Sequence, residues 1–152
     1  MNNKDVLISD FTDPRFMKAF KLYFGELGIN VEDWDGLFEE MNGDKGNKAY
    51  VRFSEGDEVI GFIQFIPVEL ENWFFCEKLG FIREFWINSE HRNKGNGSQL
   101  LEITEKYFTN NGISKVILTT DTAPEFYEAK GYKRDRSFTA KNNDDVFIKS
   151  LL

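Results

Sequence analysis

The chain has 152 residues, 41% hydrophobic and 16% aromatic, enough to bury one substantial core and too few to argue for two. Its formal net charge of −7 opposes general binding to nucleic-acid backbones and suits a cationic small partner, although acidity also serves solubility alone. A single Cys76 excludes an internal disulfide, no apolar run approaches the roughly 20 residues of a membrane span, and the start MNNKDVLISD lacks a basic then apolar leader. These features lead to the expectation of one cytoplasmic domain, without nucleic-acid or membrane partners.

Asp5 to Ser9 suits a first strand, after which the period changes. Phe16, Phe20, Tyr23, Phe24 and Leu27 repeat at helical spacing between Pro14 and Gly28, and a weaker helix follows over Val31, Trp34, Leu37, Phe38 and Met41, stopped by Gly43. AYVRFSEGDEVIGFIQFIPV reads as a hairpin about Ser54 to Asp57, ending near Pro67. ELENWFFCEKLG carries Trp73, Phe74 and Phe75 without clear period and is expected to be a connection, either a substrate-side loop or a continuation of the core. FIREFWIN is then a strand, GSQLLEITEKYFTNNG a helix with Leu100, Ile103, Thr104, Tyr107 and Phe108 on one face, and SKVILTTD a strand buried on both faces. APEFYEAKG forms a short helix, and YKRDRSFTA and DDVFIKSL are the two closing strands. The order predicts an α/β class with a mixed sheet and no internal repeats.

Between FIREFWIN and the helix lie His91, Arg92, Asn93, Lys94, Gly95, Asn96, Gly97 and Ser98, a basic, glycine-bearing turn in an otherwise acidic chain. A helix N-terminus presents unpaired N–H groups and about half a positive charge, and glycines let the backbone approach a bulky anion, so the turn suits phosphates. Arg92 and Lys94 are expected to add charge. The mononucleotide loop is absent, since no glycine stands five positions before a Gly-Lys pair. A dinucleotide fingerprint would need glycine at position 100, which is Leu100.

Arg92-x-x-Gly95-x-Gly97, after a strand and opening a helix, resembles the acyl-CoA-binding motif R/Q-x-x-G-x-G/A of the GNAT superfamily of N-acetyltransferases. Ala123, Phe126, Tyr127, Gly131 and Tyr132 are similar to that superfamily's A-x-x-F-Y-x-x-x-G-F/Y helix. The close resemblance runs from about Phe81 to Tyr132. It implies a single domain over residues 1–152 with a mostly antiparallel mixed sheet, flanking helices and splayed central strands. It implies acetyl-CoA as cosubstrate, held by the strand Phe85, Trp86 and Ile87 and by Arg92, Asn93, Lys94, Gly95, Asn96, Gly97 and Ser98, with no metal.

The same resemblance implies direct acetyl transfer to a primary amine of a small molecule or peptide. Tyr127 would protonate the leaving thiolate, a phenol being protonated at neutral pH; otherwise it is a core aromatic. Glu84 would be the base, on a face shared with Ile82 and Trp86, or else a structural carboxylate paired with a cation. His91 is expected to act as a cation or cap, and Cys76 to be a small buried hydrophobe. The acceptor region would lie around Trp34, Trp73 to Phe75 and Phe138, with Glu32, Asp33, Asp35, Glu69 and Glu71 suiting a polyamine, an aminoglycoside or a peptide N-terminus. The alternative is a non-catalytic acyl-CoA-binding regulatory module. The final hairpin could pair with a second copy, as in many relatives.

Overall fold

The computed structural model describes residues 2–71, 74 and 76–152, in the order β1 (Lys4–Ile8), α1 (Pro14–Leu27), α2 (Trp34–Asn42), β2 (Lys48–Phe53), β3 (Val59–Glu71), β4 (Cys76–Ile87), α3 (Asn96–Asn110), β5 (Lys115–Thr120), α4 (Pro124–Ala129), β6 (Lys133–Arg134) and β7 (Asp145–Ser150). A single turn of 3₁₀ helix, Ser89–His91, precedes α3. The seven strands form one sheet in the order β1-β2-β3-β4-β5-β7-β6. Every pairing is antiparallel except β4 with β5.

Local chemistry accounts for the element ends. Asp13 caps α1 by accepting from the Arg15 N–H, Pro14 fits the first turn where an N–H is dispensable, and Gly28 closes the helix at φ 71°. Asp33 caps α2 through the Gly36 N–H at 3.0 Å. Alternation along the strands then divides the interior into two apolar layers. On one face of the sheet α1 and α2 bury Phe16, Phe20 and Phe38 against Val51, Phe62 and Trp86. On the other, α3 and α4 bury Leu100, Leu101, Phe108 and Tyr127 against Ile63, Phe65, Ile82, Val116 and Phe147.

The segment expected to be a connection is mostly strand. β3 and β4 form one long hairpin paired out to Glu71 and Cys76, so β3 runs through Pro67 rather than ending there. Proline is tolerated because β2 pairs with β3 only as far as Phe65, leaving the following stretch an edge on that side. Trp73 and Phe75 lie outside the described residues. Phe74 is exposed, and so, against expectation, is Cys76. The first closing strand is also shorter than expected, since only Lys133 and Arg134 pair with β7 and the rest of YKRDRSFTA is loop.

Two features of β4 shape the centre of the molecule. Between Ile63↔Phe85 and Phe65↔Ile82, the pair Arg83 and Glu84 opposes Gln64 alone, a β-bulge. Beyond Leu79↔Lys115, Gly80↔Val116 and Phe81↔Ile117, β4 and β5 no longer pair although both continue. The sheet opens there. Among the described residues no helix is long and apolar enough to cross a membrane.

Candidate active site

At the opening of the sheet, the chain leaves β4, makes its 3₁₀ turn and enters α3. Asn93 stands at φ 61° and Gly95 at φ 84°, left-handed conformations that turn consecutive amides toward one side. The first bond closing α3 runs from the Gln99 N–H to the Gly95 carbonyl at 3.1 Å. The N–H groups of Asn93 and of Gly95 through Ser98 make no backbone hydrogen bond within 3.5 Å among the described residues. Of the predicted cofactor-binding residues, all but Lys94, that is Phe85, Trp86, Ile87, Arg92, Asn93, Gly95, Asn96, Gly97 and Ser98, line a cleft of about 590 Å³, closed on its other side by Ala123, Phe126 and Tyr127 of α4 and its approach. Gly97 lies at the floor, where a Cβ would stand 3.6 Å from the Phe126 ring and 3.7 Å from the Ile87 side chain.

The strand wall of this cleft has a main-chain edge that no strand pairs, its Ile87 carbonyl accepting from the Arg92 guanidinium at 2.9 Å. Asn88 N–H donates to the Ile60 carbonyl of β3 at 2.7 Å. Strand alternation therefore turns the polar groups of Phe85 and Ile87 away from β3, toward the side from which β5 has diverged. An amide nest at one end and an unpaired strand edge along the wall fit a diphosphate carrying an extended amide-bearing arm.

The turn is braced from below by residues that sequence spacing did not reveal. Arg52 on β2 is buried, donates to both Asp5 carboxylate oxygens at 2.7 and 2.9 Å, and bonds Asn96 Oδ1 at 3.0 Å and the Gln99 side chain. Asn96 in turn donates to the His91 carbonyl at 3.0 Å. Asn96 is thus buried structure within the turn, its side chain engaged on both ends. A lone arginine in an apolar strand was the available signal, since an unpaired buried guanidinium is too costly to persist.

The two cationic side chains of the turn each have partners within the protein. Arg92 directs its guanidinium to the Ile87 carbonyl at 2.9 Å and to Glu26 Oε2 at 2.7 Å, the same oxygen that accepts from Trp86 Nε1 at 2.8 Å. Its charge is balanced by Glu26 of α1 while the residue lines the cleft. Lys94 bonds the Glu90 carbonyl at 3.2 Å. His91 Nε2 lies 3.1 Å from Glu58, and with Glu90 these groups bring ligand atoms within 4.8 Å of one another at the surface, an arrangement of mostly exposed side chains.

Tyr127 lines this cleft and also a second, polar pocket of about 290 Å³, which includes Glu84, Asp121 and Asp144. The structure thus brings Tyr127 and Glu84 together at one pocket. Burial pushes the Tyr127 phenol up to about 12, so it is protonated throughout the physiological range. Glu84 is partly buried. Because of the bulge it does not share a face with both Ile82 and Trp86, which pack in opposite layers. Its partner is not a cation either: the Tyr23 hydroxyl donates to Oε2 at 2.7 Å, while neighbouring Arg83 pairs with Asp44 at 2.9 Å.

Four of the acidic and aromatic residues expected around the acceptor have other neighbours. Trp34 stacks on Phe38 at 5.7 Å in the core, Asp33 caps α2, and Glu69 faces Lys78 at 3.7 Å. Phe138 borders a separate hollow beside Arg134 and Asp145. The side chain of Glu71 is outside what is described.

A family model, the acetyltransferase (GNAT) family, matches residues 11–132. The chain belongs to this family. Solved GNAT folds superpose over nearly the whole chain. An acetyltransferase of the GNAT family from Staphylococcus aureus Mu50 has 15% identity and a TM-score of 0.74, with 99% of this chain and 100% of that one covered. An aminoglycoside 6′-acetyltransferase type Ii has 22% identity and a TM-score of 0.71 over 100% and 98%. An aminoglycoside 6′-N-acetyltransferase complexed with coenzyme A has 19% identity and a TM-score of 0.71 over 100% and 98%. At these identities the likeness establishes the GNAT fold. Family membership sets the general class of reaction, acetyl transfer, and leaves the acceptor unspecified.

Proposed function

We propose that this GNAT protein transfers the acetyl group of acetyl-CoA directly to a primary amine, with Glu84 as base and Tyr127 as acid. The observation that carries the reading is the position of Tyr127, common to the amide-rimmed cleft and to the pocket into which Glu84 opens. The diphosphate would rest on the amides of Asn93 to Ser98 and the arm along Phe85 to Ile87. Acceptor and thioester would then meet beside one phenol.

The steps balance without a covalent enzyme intermediate. Glu84 takes a proton from the bound ammonium, directly or through water, and the neutral nitrogen attacks the acetyl carbonyl carbon. The C–N bond forms as the C–S bond breaks, and free main-chain amides of the β4 edge polarise the carbonyl oxygen. Tyr127 donates its proton to the departing sulfur; the nitrogen, cationic once the C–N bond has formed, gives up its second proton through water, which restores the Tyr127 phenol, and Glu84 returns its own proton to solvent. The product is the N-acetyl amide with free coenzyme A thiol.

A cationic acceptor is favoured by the polar pocket, where Glu84, Asp121 and Asp144 outnumber Arg83, itself paired with Asp44. The aminoglycoside acetyltransferases among the structural neighbours make amino sugars a reasonable part of a test panel, beside polyamines and peptide N-termini.

The test is thiol release from acetyl-CoA across that panel. At least one cationic amine should support turnover, and Tyr127→Phe should lower kcat by about 10²–10⁴-fold, the usual scale of such catalysis. Binding of acetyl-CoA with no turnover on any amine would instead mark a non-catalytic acyl-CoA module, and an unaltered kcat in Tyr127→Phe would remove the acid assignment.

A further inference from the structure

Glu84 has one fixed partner, and it comes from a distant part of the chain. The Tyr23 hydroxyl, on α1, reaches Oε2 at 2.7 Å, while Oε1 has no hydrogen-bond partner among the described residues. The Tyr23 ring is itself held among aromatic neighbours, with centroids 5.5 Å from Phe24, 5.6 Å from Phe62, 5.8 Å from Phe20 and 6.0 Å from Trp86. It lines the polar pocket beside Glu84. Burial and the adjacent carboxylate push its phenol well above the usual tyrosine range, so the group is a permanent donor.

The charged groups around Glu84 do not compete for it. Arg83 is drawn to Asp44, Glu40 and Asp44 line with Glu84 a hollow toward α2, and Asp121 and Asp144 border with Glu84 the polar pocket that holds Tyr127. Glu84 forms no ion pair among the described residues. A glutamate at a β-bulge, with a flexible side chain and acidic neighbours, would otherwise be free to sample several rotamers.

Resting on the reading of Glu84 as base, we infer that Tyr23 is its positioning residue. The hydroxyl binds one carboxylate oxygen and so presents the other to the acceptor ammonium. The bulge and α1 are thereby parts of one device, since the bulge brings Glu84 to the α1 face and the aromatic layer fixes the group that orients it. In this role Tyr23 takes no proton and acts only through the Glu84 carboxylate.

A double-mutant cycle on the full chain tests this, with kcat and the KM for acetyl-CoA measured separately. Tyr23→Phe keeps the ring and should lower kcat by about 10-fold or more, the scale of a misplaced catalytic group, with the KM for acetyl-CoA unchanged. In a Glu84→Gln background the same change should alter kcat by less than about 2-fold, because the group it orients is gone. Glu84→Asp, which leaves Tyr23 intact and draws the carboxylate back by one methylene, should lose kcat comparably and covers the case in which Tyr23→Phe does not fold. Equal losses from Tyr23→Phe in both backgrounds, or full kcat in Glu84→Asp, would overturn the positioning role while leaving the base in place. Full activity in Glu84→Gln would remove the base itself and the inference with it.

Discussion

Burial of the Tyr127 hydroxyl has a thermodynamic consequence separate from catalysis. An unfolded tyrosine ionises near about 10, whereas the buried phenol ionises only at about 12. A raised folded-state value means that the folded form holds its proton while the unfolded form releases it. Stability is therefore intact below pH about 10 and is lost as pH rises toward about 12, with Tyr127 contributing about 3 kcal/mol to the fall. Tyr23 and Tyr132 are shifted in the same direction by burial and by Glu84 and Glu105, so the alkaline decline is shared. Denaturant unfolding across that window should show a shallower decline for Tyr127→Phe than for the natural chain. Identical slopes would mean that the Tyr127 phenol is not shielded from water.

Among the elements, β4 carries most of the functional geometry, and its base is set by Gly80. A Cβ there would stand 2.5 Å from the Phe108 ring of α3, at the residue that pairs with Val116 in the short parallel stretch before the strands part. Phe108 is fully buried and cannot retreat. Gly80→Ala should destabilise by about 1–3 kcal/mol in denaturant unfolding, the ordinary cost of overpacking, and a neutral result would mean that α3 is not seated on the strand as described. At this scale the sequence was legible wherever period and punctuation agreed: Pro14 and Gly28 bracket α1, and Gly95-x-Gly97 opens α3. It was illegible where pairing partners decide. The Arg83–Glu84 bulge depends on register against Gln64, and nothing in FIREFWIN itself marks the break in alternation. Residues 68–71 and 76–79 became strand because each supplies the other's hydrogen bonds, despite Pro67 and a weak period. Arg52, Tyr23 and Glu26 act on residues 44, 61 and 66 positions away, beyond the reach of any local pattern.

For the whole molecule, one sheet performs two tasks. Its closed halves bury two apolar layers, and the loss of pairing past Phe81 and Ile117 leaves an edge and an amide nest for a ligand that the family membership points to. The net charge of −7 then acts as a background against which the turn amides are a local exception, concentrating an anion at one place on an acidic surface. A backbone ¹⁵N–¹H NMR titration with acetyl-CoA tests this account most directly. The largest shifts should fall on the amides of Asn93 to Ser98 and of Phe85 and Ile87, with ATP and NAD failing to move the latter pair. Saturable binding that left those amides unmoved, or no binding at all, would contradict it.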